Sequence, residues 1–276
     1  MLLIVALGVL VGLTMALTGA GGGVMAVPLL IFGLGMPVAD AAPVALLAVG
    51  ISAGLGTYFG LRTAHVRYRA AGFMAALGFA GALLGAWLSH RIANAPLMLA
   101  FAVLLAYTSA QMLLRARSAA EQPGGRGRST PAPCALDPAV GRLRWTPACA
   151  RALGAAGFVA GTLSALLGVG GGFVIVPTLM RVTDLDMKSI VATSLAVIAL
   201  LATASVLLYS AAGHPLQWET ALPFAAGAIL GLLAGRTAAR HLAGAHVQQA
   251  FALFGLLVSA LMAYRSGLIG QFLPTR

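Results

Sequence analysis

Two glycine clusters contain the residues of this chain whose type and spacing best suit a binding site. They read GAGGG at residues 19–23 and GVGGG at residues 168–172, and Val-Pro follows each at the same spacing. Glycine lets a ligand approach backbone N–H groups because no Cβ stands in the way. A helix that begins after such a cluster directs its positive end at the break, which favours an anion. The clusters therefore predict an anion site formed by the following glycines and supporting prolines: Gly19, Gly21, Gly22, Gly23, Pro28, Gly168, Gly170, Gly171, Gly172 and Pro177.

Hydroxyl side chains precede both clusters in the sequence and could add hydrogen-bond donors. Thr14 and Thr18 come before the first cluster, and Thr162 and Ser164 come before the second. We expect these four residues to join the glycines in substrate binding. The alternative is that the glycines only permit close helix packing, as small residues do in membranes. Because the glycines and the Val-Pro pair recur together in both places, a functional break is favoured.

Other glycine-containing motifs are poorly matched. Neither cluster is followed by the Lys-Ser/Thr of a phosphate-binding loop, and Val24 and Phe173 occupy the sixth position of the dinucleotide pattern G-x-G-x-x-G. Residues 50–54 match the nucleophile elbow G-x-S-x-G around Ser52, but that motif needs a strand-to-helix turn and this copy lies inside an expected helix. We interpret it as small-residue packing and expect no catalytic residue.

The first cluster interrupts a long apolar segment. The run from Leu2 to Leu34 has 33 residues and no charge. As one helix it would be about 50 Å long, whereas the hydrocarbon core of a bilayer is only about 30 Å thick. The glycines therefore mark the place where the segment breaks.

The composition indicates a membrane protein. The chain is 60% hydrophobic and 8% charged, with a mean hydropathy of +0.97, whereas soluble domains average about 25% charged residues. We therefore expect an all-α polytopic membrane protein of the plasma (inner) membrane. The apolar N-terminus has neither a basic region nor an obvious cleavage site, so we expect a retained helix and not a signal peptide.

Residues 115–151 differ in kind from the rest. They are rich in Arg, Pro, Gly and Ser, which predicts a flexible linker that is poorly ordered in its middle. The chain then divides into an N-terminal membrane repeat at 1–114, this linker, and a C-terminal membrane repeat at 152–276. We expect about four hydrophobic helices in each repeat, which opens with a glycine-broken hairpin segment.

The two halves align when 149 is added to the residue number. Between residues 17–30 and 166–179, eight of fourteen positions are identical. The same offset pairs His65 with His214 and Arg91 with Arg240. Chance similarity between apolar helices would not keep one register across Gly, Pro, His and Arg, so the repeat is real.

The basic residues predict the orientation of the repeats. Seven of the 17 lie in the linker, which is typical of a cytoplasmic loop. If residues 152–180 enter the membrane and return at the glycines, four further basic residues also lie inside: Arg181, Lys188, Arg236 and Arg240. A single crossing would place them outside, so the hairpin is favoured and the halves are inverted. Inverted repeats with interrupted helices indicate a secondary transporter with its site near the midplane.

The repeated His and Arg pairs have two interpretations. His65, His214, Arg91 and Arg240 are either interfacial residues and headgroup anchors or part of a gate or vestibule. The six acidic residues all fall in loops or at helix ends, whereas proton or cation coupling usually places a carboxylate inside the membrane. This scarcity favours an anionic substrate, and we expect no metal and no cofactor.

Neither the net positive charge nor the two cysteines is expected to form a functional site. The net charge is +11, but seven of the 17 basic residues lie in the one linker and no aromatic-rich basic surface accompanies them, so nucleic-acid binding is not expected. Cys134 and Cys149 both lie in the linker. In a cytoplasmic loop they would be kept reduced, and their spacing does not suit a metal site.

With two GxGGG…VP motifs in halves of about four hydrophobic helices, the sequence resembles the TauE/SafE family of sulfite exporters, also called the toluene-sulfonate uptake permease family. The resemblance covers both membrane halves, roughly 2–114 and 152–265, and leaves out the linker. It implies a plasma-membrane transporter of sulfite, sulfonates or related sulfur-containing anions. Only the motif glycines and Pro28 and Pro177 carry over from the family pattern.

The sequence therefore predicts a secondary transporter of small sulfur-containing anions that works by alternating access around the two glycine breaks. Its expected partners are the anionic substrate and the lipid bilayer. A passive anion channel is the alternative within transport. An intramembrane hydrolase using Ser52 fits poorly, and a non-transporting assembly subunit stays open. Direction, coupling ion and oligomeric state are not determined by the sequence.

Overall fold

The computed structural model describes most of the chain, namely residues 1–18, 21–89, 91–92, 94–121, 134, 136–137, 142–143, 145–213, 216–242 and 245–265. The described residues form ten helices: α1 Leu2–Thr18, α2 Gly21–Leu34, α3 Val38–Arg62, α4 Tyr68–Ser89, α5 Asn94–Glu121, α6 Pro147–Leu167, α7 Gly172–Val182, α8 Met187–Ala211, α9 Trp218–Leu242 and α10 Ala245–Arg265. Two short strands in the linker, β1 Leu136–Asp137 and β2 Arg142–Leu143, pair antiparallel. The middle of the linker, including residues 123–125, lies outside the described residues.

Within the described part of the chain, five helical segments are long and apolar enough to cross a membrane: α3, α4, α6, α8 and residues Trp218–Thr237 of α9. Their outward-facing positions carry exposed large apolar side chains, such as Leu83, Leu207 and Leu230, which in water would be unfavourable but which suit contact with lipid tails. The prediction of an all-α polytopic membrane protein is confirmed.

Each glycine-broken segment is a helical hairpin. A Cβ placed on Gly33, near the end of α2, would lie 2.6 Å from Leu7 Cδ1, near the start of α1. In the second half, Cys134 joins both ends of the hairpin, since it is disulfide-bonded to Cys149 in the first turn of α6 and its N–H donates to Val182 O at the end of α7, at 2.9 Å. The second helix of each pair therefore returns toward the start of the first.

The two halves pack into each other. Helix α1 lies against α9 and α6 lies against α4, while α3 contacts α8 and α5 contacts α10. Glycines bring the first two pairs to backbone contact: a Cβ on Gly12 would overlap Ala228 O, and one on Gly161, the equivalent residue, would overlap Gly78 O. Stripes of small residues allow such close approach between membrane helices. Some of the chain's glycines therefore do serve packing, and these two lie outside the clusters, whereas Gly23 and Gly171 inside the clusters also approach neighbouring backbone closely.

Helices α3 and α8 form the centre of the molecule and run antiparallel. A Cβ on Gly50 would lie 3.0 Å from Ala202 Cβ, and one on Gly60 would lie 2.9 Å from Ala192 Cβ. Residues 38–62 and 187–211 correspond under the offset of 149, so the central pair consists of equivalent helices in opposite directions. Inverted repeats require this relation. The orientation of the halves relative to a membrane stays a prediction, as does the division of the chain at residues 114 and 151.

The expectation that the two cysteines are reduced and incidental is wrong. Cys134 and Cys149 form a disulfide, and both side chains are fully buried. The physical reason lies in the hairpin. Because α7 returns beside the start of α6, Val182 can hold the backbone of Cys134 next to the first turn of α6, where Cys149 lies. That turn is fixed by Thr146, whose hydroxyl accepts a hydrogen bond from Cys149 N at 3.1 Å.

Candidate functional site

The two glycine breaks meet inside the molecule. A Cβ placed on Gly23 would lie 2.6 Å from the backbone oxygen of Val169 and 3.5 Å from Val49 Cγ1. A Cβ on Gly170 would lie 3.2 Å from the same Val49 methyl group and 3.2 Å from Ile198 Cγ2. Val49 of α3 therefore contacts both breaks, and Val49 and Ile198 are equivalent residues of the two halves. The clusters, which are 149 residues apart in sequence, are adjacent at the α3–α8 pair.

The backbone of the second break needs glycine at three positions. Gly168 caps α6 in the left-handed conformation with φ +76° and donates its N–H to Ser164 O at 2.9 Å. Gly170 and Gly171 have φ +72° and +71°. Side chains rarely tolerate this region, whereas glycine enters it freely. The chain thereby turns sharply between the end of α6 and the start of α7 at Gly172.

The first N–H groups of α7 have no acceptor within the helix and lie in the protein interior. Val174 N and Ile175 N both donate to Gly171 O, at 3.1 and 3.3 Å. The N–H groups of Gly172 and Phe173 precede them in the first turn, where a helix offers no internal acceptor. Both residues are buried. Helix α2 begins likewise at Gly21 within the first cluster. Two helix N-termini, each with a partial positive charge, therefore start at the paired breaks.

Each of these short helices contains its proline inside and not at its start. Pro28 lies in α2 and Pro177 lies in α7. Because proline has no N–H, Pro177 cannot donate to the carbonyl four residues earlier, at Phe173. The same reasoning applies to Pro28 and Val24. The first turn of each helix is thus less tightly bonded than an ordinary turn, next to the break.

The four hydroxyls expected in the site differ in their surroundings. Thr14 is buried and donates to Val11 O at 2.7 Å within its own helix. Thr162 donates to Phe158 O at 2.9 Å and faces α4, where a Cβ on Gly81 would lie 2.9 Å from its Oγ1. Ser164 is fully buried, and its Oγ has no hydrogen-bond partner in the described part of the chain. The side chain of Thr18 lies outside the described residues.

The candidate gate residues lie at the edges of the helices. His65 is half-buried in the turn after α3, near Asp186 at the start of α8. The Ser189 hydroxyl and the nearby charge of His65 lower the pKa of Asp186, and the Ser189 hydrogen bond is the larger cause. Arg91 is exposed, with its guanidinium carbon 4.4 Å from the centre of the Trp87 ring. His214 and the side chain of Arg240 lie outside the described residues.

Two residues near the breaks were missed from the sequence. Val49 is apolar and carried no chemical signal, although the offset of 149 pairs it with Ile198. Ser52 was set aside with the G-x-S-x-G match, but it is fully buried on the same helix, three residues after Val49, and its Oγ has no partner among the described residues. The sequence does not show that α3 packs against the breaks. The relation of Ser52 to the breaks, through Val49 on the same helix, is therefore apparent only from the structure.

Comparisons with known proteins agree over nearly the whole chain. Residues 4–262 match the family described as "Sulfite exporter TauE/SafE". A probable membrane transporter protein of Xylella fastidiosa (strain 9a5c) is 31% identical over 268 residues, which covers 93% of this chain and 91% of the relative. The counterpart in strain Temecula1 is also 31% identical, over 265 residues, with the same coverage of both chains.

A third relative is more distant, the probable membrane transporter protein YunE of Bacillus subtilis (strain 168). It is 26% identical over 238 residues, which covers 83% of this chain and 85% of that protein. No solved structure matches the chain significantly. The family match, the transporter relatives and the five spanning helices together support a multi-pass protein of the plasma membrane. The chain belongs to the TauE/SafE family of membrane transporters, and it is not an enzyme.

Proposed function

We propose that this protein is a secondary transporter of small sulfur-containing anions, such as sulfite or sulfonates, and that it binds them between the two glycine breaks. The observation that carries the proposal is the meeting of the breaks: Gly23 approaches Val169, and Val49 contacts both Gly23 and Gly170. A broken helix in lipid is unfavourable unless its freed backbone groups bind something or line a cavity.

The distribution of charge supports an anion. The described acidic side chains with a burial assignment lie in loops or in the first turn of a helix, namely Asp40, Asp184, Asp186 and Glu219. The interior near the breaks therefore offers N–H groups and a serine hydroxyl as donors, without a carboxylate among the described residues to attract a cation. Helix N-termini favour negative charge because their N–H groups point outward along the axis.

The packing of the halves supports alternating access. The hairpin helix of each half is in backbone contact with a helix of the other half, α1 with α9 and α6 with α4. We expect each hairpin to move with its partner helix from the other half, while the central α3–α8 pair provides the interface. Rocking of one such body against the other would expose the breaks to one side of the membrane at a time.

Flux into proteoliposomes tests the proposal. We expect saturable uptake of sulfite or a sulfonate, accelerated when the same anion is loaded on the opposite side, because a carrier exchanges its substrate. Gly22→Leu and Gly171→Leu should abolish anion binding. A loss of binding counts only in a variant that thermal unfolding shows to be folded. Gly54→Leu is the control for an added leucine, since nothing lies within 4 Å of a Cβ on that glycine, and we expect it to transport normally.

Three results would contradict the proposal in different ways. Conductance that never saturates and shows no exchange would identify a passive channel. Full binding in both glycine variants would place the site elsewhere. If the folded parent protein moved no anion at all, the family membership would still hold, but the proposed class of substrate would be wrong.

A further inference from the structure

We infer that Ser52 is a further substrate-binding residue, which donates its hydroxyl together with Ser164 to the transported anion, and that the site selects singly charged over doubly charged oxyanions. This inference rests on the proposed anion site and adds a residue and a charge preference to it.

Most helical Ser and Thr residues with a described side-chain hydrogen bond donate to a carbonyl of their own helix, one turn earlier. Examples are Thr57 to Ala53 O at 2.7 Å, Thr178 to Val174 O at 2.7 Å and Ser194 to Val191 O at 2.8 Å. This bond satisfies the hydroxyl when no other partner is near. Among the described serines whose Oγ is fully buried, three do not make this bond and have no other partner: Ser52, Ser164 and Ser205.

A buried hydroxyl without a partner is unfavourable, because it has lost its bonds to water and gained none. Ser52 and Ser164 are both fully buried. Alanine would fill nearly the same space without that cost, and a purely structural position in an apolar membrane core would be served better by it. The two hydroxyls are therefore suited to donate hydrogen bonds to a ligand that binds reversibly, such as a substrate.

Both residues lie one helical turn from a residue at the paired breaks. Ser52 is one helical turn after Val49, the residue that contacts Gly23 and Gly170. It also lies between Gly50, opposite Ala202, and Gly56, opposite Leu195, at the middle of the antiparallel α3–α8 pair. Ser164 is one turn before Gly168 and accepts its N–H through the backbone oxygen. Ser205 lies two turns beyond Ile198, and we assign it no role.

The partial positive charges at the breaks suit a bound anion with a single negative charge. Each helix N-terminus is equivalent to roughly half a positive charge, so the starts of α2 and α7 together offer about one. The basic side chains with a described burial lie in loops or within two turns of a helix end: Arg62, Arg67, Arg69, Arg91, Arg151, Arg181, Lys188 and Arg236. A doubly charged anion at the breaks would keep one charge uncompensated in a medium of low dielectric constant, which is strongly unfavourable.

Methanesulfonate and sulfate are suitable probes, because they share the sulfur–oxygen chemistry and differ in charge. For the purified parent protein in proteoliposomes we expect saturable methanesulfonate uptake, and at least tenfold weaker competition by sulfate. Ser52→Ala and Ser164→Ala should each raise the KM for methanesulfonate about tenfold or more, the range of a lost hydrogen bond to a charged group. Ser194→Ala, which removes a buried hydroxyl already bonded in its helix, should leave KM unchanged.

Thermal unfolding separates a binding role from a structural one. Without anion, Ser52→Ala and Ser164→Ala should unfold at the same temperature as the parent or higher, because an unpaired hydroxyl has been removed. Methanesulfonate should raise the unfolding temperature of the parent more than that of either variant.

The inference would be overturned by unchanged KM values in both serine variants, by lower stability of both variants without anion, or by sulfate competing as well as methanesulfonate. In each of these cases saturable uptake by the parent would leave the proposed transport function standing. A parent protein that moves no anion would refute both together.

Discussion

The two glycine hairpins have nearly the same sequence but different backbones. In the first, Gly21 and Gly22 already belong to helix α2. Their equivalents in the second, Gly170 and Gly171, are left-handed, and α7 starts only at Gly172. The first returning helix has 14 residues and the second has 11. The second hairpin is also tied to the linker by a disulfide, whereas the first has no cysteine.

This difference shows what the repeated glycines permit. Glycine is compatible with both the helical and the left-handed conformation, so one motif can wind into α2 in one half and unwind before α7 in the other. In a carrier with inverted repeats the halves take unequal conformations in each state. We therefore regard the glycines as the positions that allow each hairpin to adopt either form.

The largest expected effect distinguishes the two breaks directly. Gly171→Ala should destabilise the protein by about 2–5 kcal/mol, because the left-handed conformation costs a side chain about 1–2 kcal/mol and the added Cβ would lie 2.8 Å from Ala160 O, an overpacking worth about 1–3 kcal/mol. Gly23→Ala should cost only the overpacking against Val169. Chemical unfolding in detergent measures both, with Gly54→Ala as a neutral control. Equal losses at Gly171 and Gly23 would remove the distinction.

Reduction of the disulfide should affect the second hairpin alone. Cys134 and Cys149 are 15 residues apart, and closing a loop of that length stabilises a protein by about 3 kcal/mol. We expect a reductant to lower the unfolding temperature of the parent, whereas Cys134→Ser should unfold at the lower temperature with or without reductant. Because both cysteines are buried, the variant decides the matter: a Cys134→Ser protein that unfolds at the temperature of the untreated parent would show that the bond does not contribute.

The disulfide also bears on the membrane orientation of the linker. The arginines of the linker predict a cytoplasmic location, whereas disulfides persist mainly in oxidising compartments. These two signals disagree. A single cysteine introduced near residue 186 and another near residue 37, in a Cys134→Ser/Cys149→Ser background, should react with an impermeant maleimide from opposite faces of the membrane. Labelling from one face would refute the inverted arrangement, and the reactive face near residue 186 identifies the compartment of the linker.

Where the halves are alike, matched substitutions should have matched effects. Gly12 and Gly161 are equivalent, and a Cβ on either would overlap a backbone oxygen of the neighbouring helix. Gly12→Ala and Gly161→Ala should each destabilise by about 1–2 kcal/mol, since overpacking exceeds the better helix propensity of alanine. Thermal unfolding in detergent checks this. Markedly unequal losses would mean that the α1–α9 and α4–α6 contacts are not related by the repeat.

The smallest expected effect concerns Asp186, whose equivalent in the first half is Pro37. Because the pKa of Asp186 is lowered in the folded protein, its carboxylate stabilises the fold above pH about 4, and this contribution is lost as the pH falls through the folded-state pKa. Asp186→Asn should therefore be slightly less stable than the parent at neutral pH and equal to it in acid. A constant difference at all pH values would assign the effect to packing. Unfolding temperature against pH distinguishes the outcomes.

The sequence predicted the parts of this fold that depend on composition and repetition. The apolar run that was too long for one helix placed the first break, and the offset of 149 placed the second. The backbone difference between Gly21 and Gly170 could not be predicted, because glycine has no preference between the two conformations. The lack of a hydrogen-bond partner at Ser52 and Ser164 among the described residues could not be predicted either, since a hydroxyl in a helix can always bond to its own backbone. The disulfide could not be predicted, because Cys134 lies beside Cys149 only when α7 returns next to the start of α6.

The backbone contact of α1 with α9 has a consequence for biosynthesis. A Cβ on Gly231 would overlap Val9 O, so the chain must be synthesised from Val9 to Gly231 before the first helix can acquire its native neighbour. Until then the glycine stripe of α1 faces lipid or whatever protein accompanies it during insertion. The N-terminal half therefore cannot mature on its own, and we expect it to assemble only when the C-terminal half is supplied, either on the same chain or as a co-expressed fragment.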